Sequence, residues 1–213
     1  NSDFKGYMPD AQDLVKKIRT VPNVIGASDR IIIQAMAATA ETATGVLVYG
    51  VDVENEPKVT NISEKLIEGE YLTGIKRNPV VIGKKLAEKL NAKLRSKIVI
   101  TLQDTANNVT SGLFRVAGIY STNNNMYDES HVFVKAKDVY TLTELPKNAA
   151  HEIAININDN ENLIAVEDEV RKIASNHEVM DWKALSPEMN YLTEAMDLYM
   201  YIFIIIILLA LLF

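Results

Sequence analysis

Apolar positions along the chain fall into blocks of different period. Between residues 9 and 19, Ala11, Leu14, Val15 and Ile18 recur at helical spacing. Asp10 stands where a cap would, and Pro22 lies just beyond, so a short helix is predicted. Val24-Ile25, Ile31-Ile32-Ile33 and the stretch Gly45–Val53 are β-branched runs that suggest an antiparallel pair. The segment between them, Ala35–Ala40, reads equally as strand, loop or helical turn. Val80–Ile82 predicts a short strand, and Gly83 leads into a helix on which Leu86, Leu90 and Leu94 repeat every four residues. Ile98–Leu102 and Leu113–Tyr120 predict two strands joined through a turn at Asp104–Asn108. Thr122–Asn125 predicts an exposed loop tip. His131–Lys135 reads as a strand and Ala136–Thr143 as a short helix.

The last block is the most regular. Ile153, Ile155 and Ile157 alternate with Ala154, Asn156 and Asn158, the period of a strand buried on one face. Leu163, Val166, Val170 and Ile173 line one stripe of a helix over 161–175, and Val179–Trp182 reads as a closing strand. The lone Trp182 reads as a core side chain. Strand–helix–strand is half of a ferredoxin-like unit, and helix–strand–strand at the start supplies the other half. The expected fold class is therefore α+β. One discontinuous subdomain, residues 1–58 and 145–195, is interrupted at the charged, proline-containing boundary Glu54–Lys58 by a mostly β insertion, residues 59–144.

The end of the chain breaks this pattern. Leu198–Phe213 hold no charged residue. A buried terminal strand or core helix is one reading of such a run. The start of a transmembrane helix over 198–213 that continues beyond Phe213 is the better one, since a span needs about 20 apolar residues. Tyr191, Tyr199 and Tyr201 stand where an interfacial aromatic belt would lie. Glu188, Glu194 and Asp197 precede the run without Lys or Arg, which places that side outside the cytoplasm.

Composition narrows the function classes. With no cysteine, disulfide scaffolds, thiol enzymes and thiolate metal sites are excluded. A net charge of −6 argues against nucleic acid as a partner. His131, His151 and His177 fall in separate elements without ligand spacing, and no nucleophile or phosphate-loop motif is present. Asp128-Glu129 offers at most a weak cation site. Lys84, Lys85, Lys89, Lys93, Arg95 and Lys97 form a basic run that reads either as the wet face of a helix or as a charge-complementary contact. No cofactor, no metal and no catalysis are expected.

Four stretches, in this order, resemble one family: Gly45–Val53; Leu66–Leu72 with Val80–Gly83 and the helix at 85–90; Phe114–Tyr120 with Asp128 and Val132–Val134; and Met180-Asp-Trp182 leading through Pro187 into the apolar run. The chain is similar to the periplasmic domain of the ABC permeases that include MacB, the lipoprotein-releasing (Lol) permeases and FtsX. The resemblance implies a ferredoxin-like "Porter" interrupted by a "Sabre", set in the inner membrane and facing the periplasm. It implies a non-catalytic permease subunit, paired with a second one as homo- or heterodimer. A cytoplasmic ABC ATPase would drive movement outside the membrane by mechanotransmission. Lipoprotein release or export is the implied role. A MacB-like efflux component and a membrane-tethered binding or sensor module are the alternatives. A periplasmic carrier or adaptor would be the further partner. The resemblance places carrier contact at the positions matching a hairpin of the Lol branch, Leu145, Pro146, Lys147, Asn148, Ala149 and Ala150. These lack an aromatic anchor. The exposed tip Asn123, Asn124, Asn125, Met126 and Tyr127 is the second partner-contact candidate.

Overall fold

The computed structural model describes residues 6–73, 77–185 and 187–212, and these form two compact units, Asn1–Asn162 and Leu163–Phe213. The first unit contains α1 (Ala11–Ile18), β1 (Val24–Ala38), β2 (Ala43–Val51), β3 (Leu66–Gly69), β4 (Pro79–Gly83), α2 (Lys84–Lys89), β5 (Lys97–Gln103), β6 (Val109–Tyr120), α3 (Asn125–Ser130), β7 (His131–Lys135), α4 (Ala136–Thr143) and β8 (Glu152–Ile157).

Its strands close into a barrel. β1 pairs with β2, β2 with β7, β7 with β4, β4 with β6, β6 with β5, and β5 returns to β1. Closure depends on the length of β1. Residues Arg30–Ala38 pair with β2, Met36–Ala38 also pair with β5, and the opposite end, Val24–Arg30, pairs with β8. β3 adds to the far end of β6.

Strand alternation sorts the apolar side chains into two clusters. Ile31, Ile33, Val46, Val48, Val80, Ile82, Ile98, Ile100, Phe114, Val116, Val132 and Val134 share the first, and Leu86 and Leu90 of the α2 region, Val139 of α4 and Leu145 extend it. Val81, Tyr120 and Phe133 point the other way and meet Ile62, Tyr71 and Leu72, which follow β2 in the chain. β4 and β7 are therefore covered on both faces. This explains their unbroken apolar runs, Val80–Ile82 and Val132–Val134.

Several expectations are corrected. The low-propensity segment Ala35–Ala38 is strand, because pairing on both edges overrides its composition. Asp10 occupies the N-cap of α1, but its side chain makes no capping bond. The Asn148 carbonyl accepts the Ala11 N–H instead, at 3.2 Å. The helix after Gly83 ends at Leu90, where Asn91 turns to a φ of +47°, so Leu94 leaves the buried stripe and is partly exposed. All β8 residues are half-buried, so the isoleucine alternation does not appear as buried against exposed.

The second unit holds α5 (Leu163–Ile173), α6 (Trp182–Leu185) and α7 (Pro187–Leu212). Val166 and Val170 of the expected stripe are buried. Glu167 and Glu169 pair with Arg171 and Lys172 on the wet side of α5. Val179–Asp181 is not a strand: the Val179 carbonyl accepts a bond from the Arg171 guanidinium at 2.9 Å. Trp182 is 37% exposed rather than a core residue, with the Lys183 ammonium 5.7 Å from its ring centre. Among the described residues, no helix is long and apolar enough to cross a membrane. The side chains of Glu188, Glu194 and Asp197, used above to orient the chain, lie outside the described residues.

Candidate partner-contact surfaces

The tip at 121–131 is built on one buried carboxylate. Asp128 is 1% exposed. The Thr122 N–H donates to both of its oxygens at 3.1 and 3.0 Å, the Thr122 hydroxyl donates at 2.6 Å, and the Ser121 hydroxyl at 3.4 Å. Charge-assisted bonds of this kind are the strong class, so a six-residue excursion is pinned at both ends. Gly83 makes room for it, since a Cβ there would overlap the Asp128 backbone. Asn124 then caps α3, its Oδ1 accepting the Tyr127 N–H at 3.1 Å.

Tyr127 stacks on His131, with ring centres 3.9 Å apart and planes 14° from parallel. Tyr49 stacks on His131 as well, at 5.4 Å. Burial pushes the Tyr127 phenol up to about 12. What remains outside is Asn123, Asn124, Asn125 and Met126, the last 81% exposed. The tip thus presents one flexible apolar side chain and three amides on a rigid mount.

The second candidate divides. Leu145, Ala149 and Ala150 are buried, and Ala150 bridges to Met8. The Tyr140 hydroxyl donates to the Ala149 carbonyl at 3.0 Å. A tight turn, closed by the Ala149 N–H donating to the Pro146 carbonyl at 2.9 Å, leaves only Pro146, Lys147 and Asn148 exposed.

Two features escaped the sequence. Arg30 on β1 is clamped between Glu56, which is fully buried after β2, and Glu152 on β8. Burial opposes the guanidinium charge, but the bonds and attraction of Glu56 and Glu152 outweigh it and raise its pKa. An open groove of about 360 Å³ lies where β1 leaves β8 and has not yet met β5, lined by Ile32, Gln34, Met36, Thr101, Gln103 and His151. The Thr101 hydroxyl is engaged with Ser111 at 2.9 Å, and His151 Nδ1 accepts the Ile32 N–H at 3.2 Å, so the groove holds no nucleophile–base contact. The Asp128-Glu129 pair is also committed, Glu129 to Lys89. No cluster of three metal-ligating side chains is present among the described residues.

Burial lowers the pKa of both His131 and His151. The unfolded chain then binds more protons once the pH falls below the ordinary imidazole value of about 6.5, so stability is full above that value and declines below it. Thermal midpoints measured from about pH 7.5 down to about pH 5.5 should fall, and His151→Gln should flatten part of the slope. A flat profile in the unsubstituted chain would contradict this.

The fold and its exposed loops can be set beside known proteins. The model of one family, the MacB-like periplasmic core domain, matches residues 2–173. The chain belongs to this family. It is 24% identical over 173 residues to the lipoprotein-releasing system transmembrane protein LolC of Buchnera aphidicola subsp. Schizaphis graminum, covering 78% of this chain and 41% of that protein. The chain therefore spans well under half the length of that relative. Among solved structures, the extracellular domain of the noncanonic ABC-type transporter YknZ from Gram-positive bacteria aligns with a TM-score of 0.59 at 17% identity, covering 80% of this chain and 89% of that one. The periplasmic region of MacB from Actinobacillus actinomycetemcomitans aligns at 0.53 and 11% identity, covering 76% and 73%. These likenesses bear on the fold. The resemblance read from Gly45–Val53, Leu66–Leu72, Phe114–Tyr120 and their neighbours holds.

Proposed function

We propose that the chain is the extracytoplasmic domain of an ABC-type permease subunit in the inner membrane. It couples ATP hydrolysis in the cytoplasm to mechanical movement outside, in the service of lipoprotein release or export. The observation that carries this reading is the family match over residues 2–173, joined to the LolC likeness over 78% of the chain. The likeness to the periplasmic region of MacB favours a second reading, an efflux-pump component.

In this proposal the domain is non-catalytic, and the ATPase sits on a separate subunit or domain. A second permease subunit pairs with this one, and α7 continues as the membrane segment that delivers force. The division into residues 1–58 with 145–195 and an insertion at 59–144 is retained as a functional one. Its supporting feature is the rigid mount of the tip, since a tip pinned by Asp128 transmits displacement of the barrel instead of absorbing it.

Photo-crosslinkers at Met126 and Lys147 in the full-length permease complex test this. Crosslinks to a periplasmic carrier or adaptor, with yields that change between nucleotide states, are expected. Crosslinks absent from both positions in every nucleotide state would overturn the contact assignment. A complex whose outer domain does not respond to nucleotide would overturn the coupling.

A further inference from the structure

The basic run at residues 84–97 is divided in two by the fold. Its first half is largely neutralised locally: Lys85 pairs with Glu88 at 3.0 Å and Lys89 pairs with Glu129, while Lys84 stands outside the ion pairs formed among the described residues. The second half is not. Lys93, Arg95 and Lys97 are exposed, and none belongs to an ion pair formed among the described residues. The barrel brings two more cations to the same place. Arg115 on β6 stands directly opposite Lys97 on β5. Arg77 precedes Asn78, whose carbonyl accepts the Arg115 N–H at 2.9 Å. Arg95 is held beside them: its N–H donates to Val116 at 2.9 Å, and its carbonyl accepts from the Arg115 guanidinium at 3.1 Å.

Like charges facing each other across a strand pair destabilise a sheet. No ion pair formed among the described residues compensates this opposition. Neither β5 nor β6 carries an acidic residue. Glu41 accepts from Asn91 and Glu70 accepts from Thr73. The cations thus form a basic end on a chain of net charge −6.

The same outward face continues with an apolar row. The next row of the register is Val99 opposite Leu113, with Val99 38% and Leu113 52% exposed. Beyond it the polar pair Thr101 and Ser111 intervenes, flanked by Met36 on the adjoining β1 and followed by Val109 opposite Gln103; Met36 and Val109 are both more than half exposed. An outward face that is basic at Lys97 and Arg115, apolar at Val99 and Leu113 and mixed beyond them fits a segment carrying carboxylates next to aliphatic side chains. This face contains no Trp, Tyr or Phe, the side chains that seat proteins in a bilayer interface, so a protein partner is favoured over a lipid surface.

We infer that the outward face of β5 and β6, headed by Lys97 and Arg115, is a docking surface for an acidic, aliphatic segment of a partner protein. This surface is separate from the tip at Asn123–Met126 and from the turn at Pro146–Asn148.

The test uses the full chain and a labelled synthetic peptide, a glutamate block followed by a valine–leucine block. Binding is read by fluorescence anisotropy. Salt-sensitive binding is expected, and Lys97→Glu with Arg115→Glu should weaken it by about tenfold or more. Lys85→Gln with Lys89→Gln, in the neutralised half, should leave it within about twofold. Lys97→Glu alone replaces a repulsion by a cross-strand pair, so it should weaken binding while the thermal midpoint holds or rises. That separates lost contact from lost fold. Three results would overturn the inference. One is equal affinity for a lysine-block control peptide. Another is no loss in the double charge-reversal variant. The third is binding to mixed phosphatidylcholine–phosphatidylglycerol vesicles that exceeds peptide binding and shows the same residue dependence.

Discussion

Glu56→Ala is expected to destabilise the chain by about 3–5 kcal/mol, the range for stranding one member of a buried ion pair. The clamp is nearly complete as it stands. Arg30 Nε donates to both Glu56 oxygens at 3.0 and 3.2 Å, and Nη2 donates to Oε1 at 2.7 Å. Nη1 donates to Glu152 at 2.9 Å, and the Thr60 hydroxyl donates to Glu56 at 3.4 Å. Alanine removes the carboxylate that Arg30 cannot replace, because the Arg30 side chain is only 13% exposed and Glu152, at 42%, is shared with water. The midpoint of thermal unfolding should fall by roughly 10 °C for a chain of this size. Glu56→Gln keeps the volume but turns an amide donor toward a guanidinium donor, so it should be damaging as well. Arg30→Met with Glu56→Leu should recover much of the loss, since apolar replacement of a buried pair is often neutral. A Glu56→Ala chain within about 1 kcal/mol of the original would show that water reaches the clamp and that it stabilises little.

The clamp also shows what the sequence conceals. Glu56 lies in Glu54–Lys58, a charged stretch with Pro57 that reads as a domain boundary. Its burial arises because Arg30, 26 residues earlier, and Glu152, 122 residues after Arg30, converge on it. No local period reports such convergence. Barrel closure was hidden for the same reason. The individual runs Val80–Ile82, Ile98–Leu102 and Val132–Val134 were legible as strands, because each carries its own β-branched signature. That β1 pairs with three partners depends on strands far away in sequence, and Ala35–Ala38 gave no propensity to suggest continuity. The basic run was legible as a run. Its division followed only from the partners Glu88 and Glu129 on one side and Arg115 on the other. Of the contact candidates, the tip was visible because Thr122–Asn125 is turn chemistry. The turn at 145–150 came from resemblance, and half of it is core because Leu145, Ala149 and Ala150 are small or apolar enough to be enclosed.

Asp128→Ala is the second substitution with a large expected effect, about 3 kcal/mol from the loss of bonds to a buried charge and the orphaning of their donors. Its consequence is local before it is global. The Thr122 N–H and hydroxyl lose their acceptor together, so both ends of the tip are released while the barrel keeps its pairing. Amide exchange at Thr122 and Tyr127 should accelerate well ahead of exchange at Val132–Val134, whose strand pairs on both sides. Asp128→Asn keeps one acceptor oxygen and should fall between the two. For the proposed function the order of effects matters. If the tip works as a rigid lever, crosslinking from Met126 should lose its dependence on nucleotide state in Asp128→Ala even where the chain remains folded. If crosslinking and its nucleotide dependence persist while the tip exchanges freely, the tip binds without transmitting force. The mechanical role would then belong to the barrel alone.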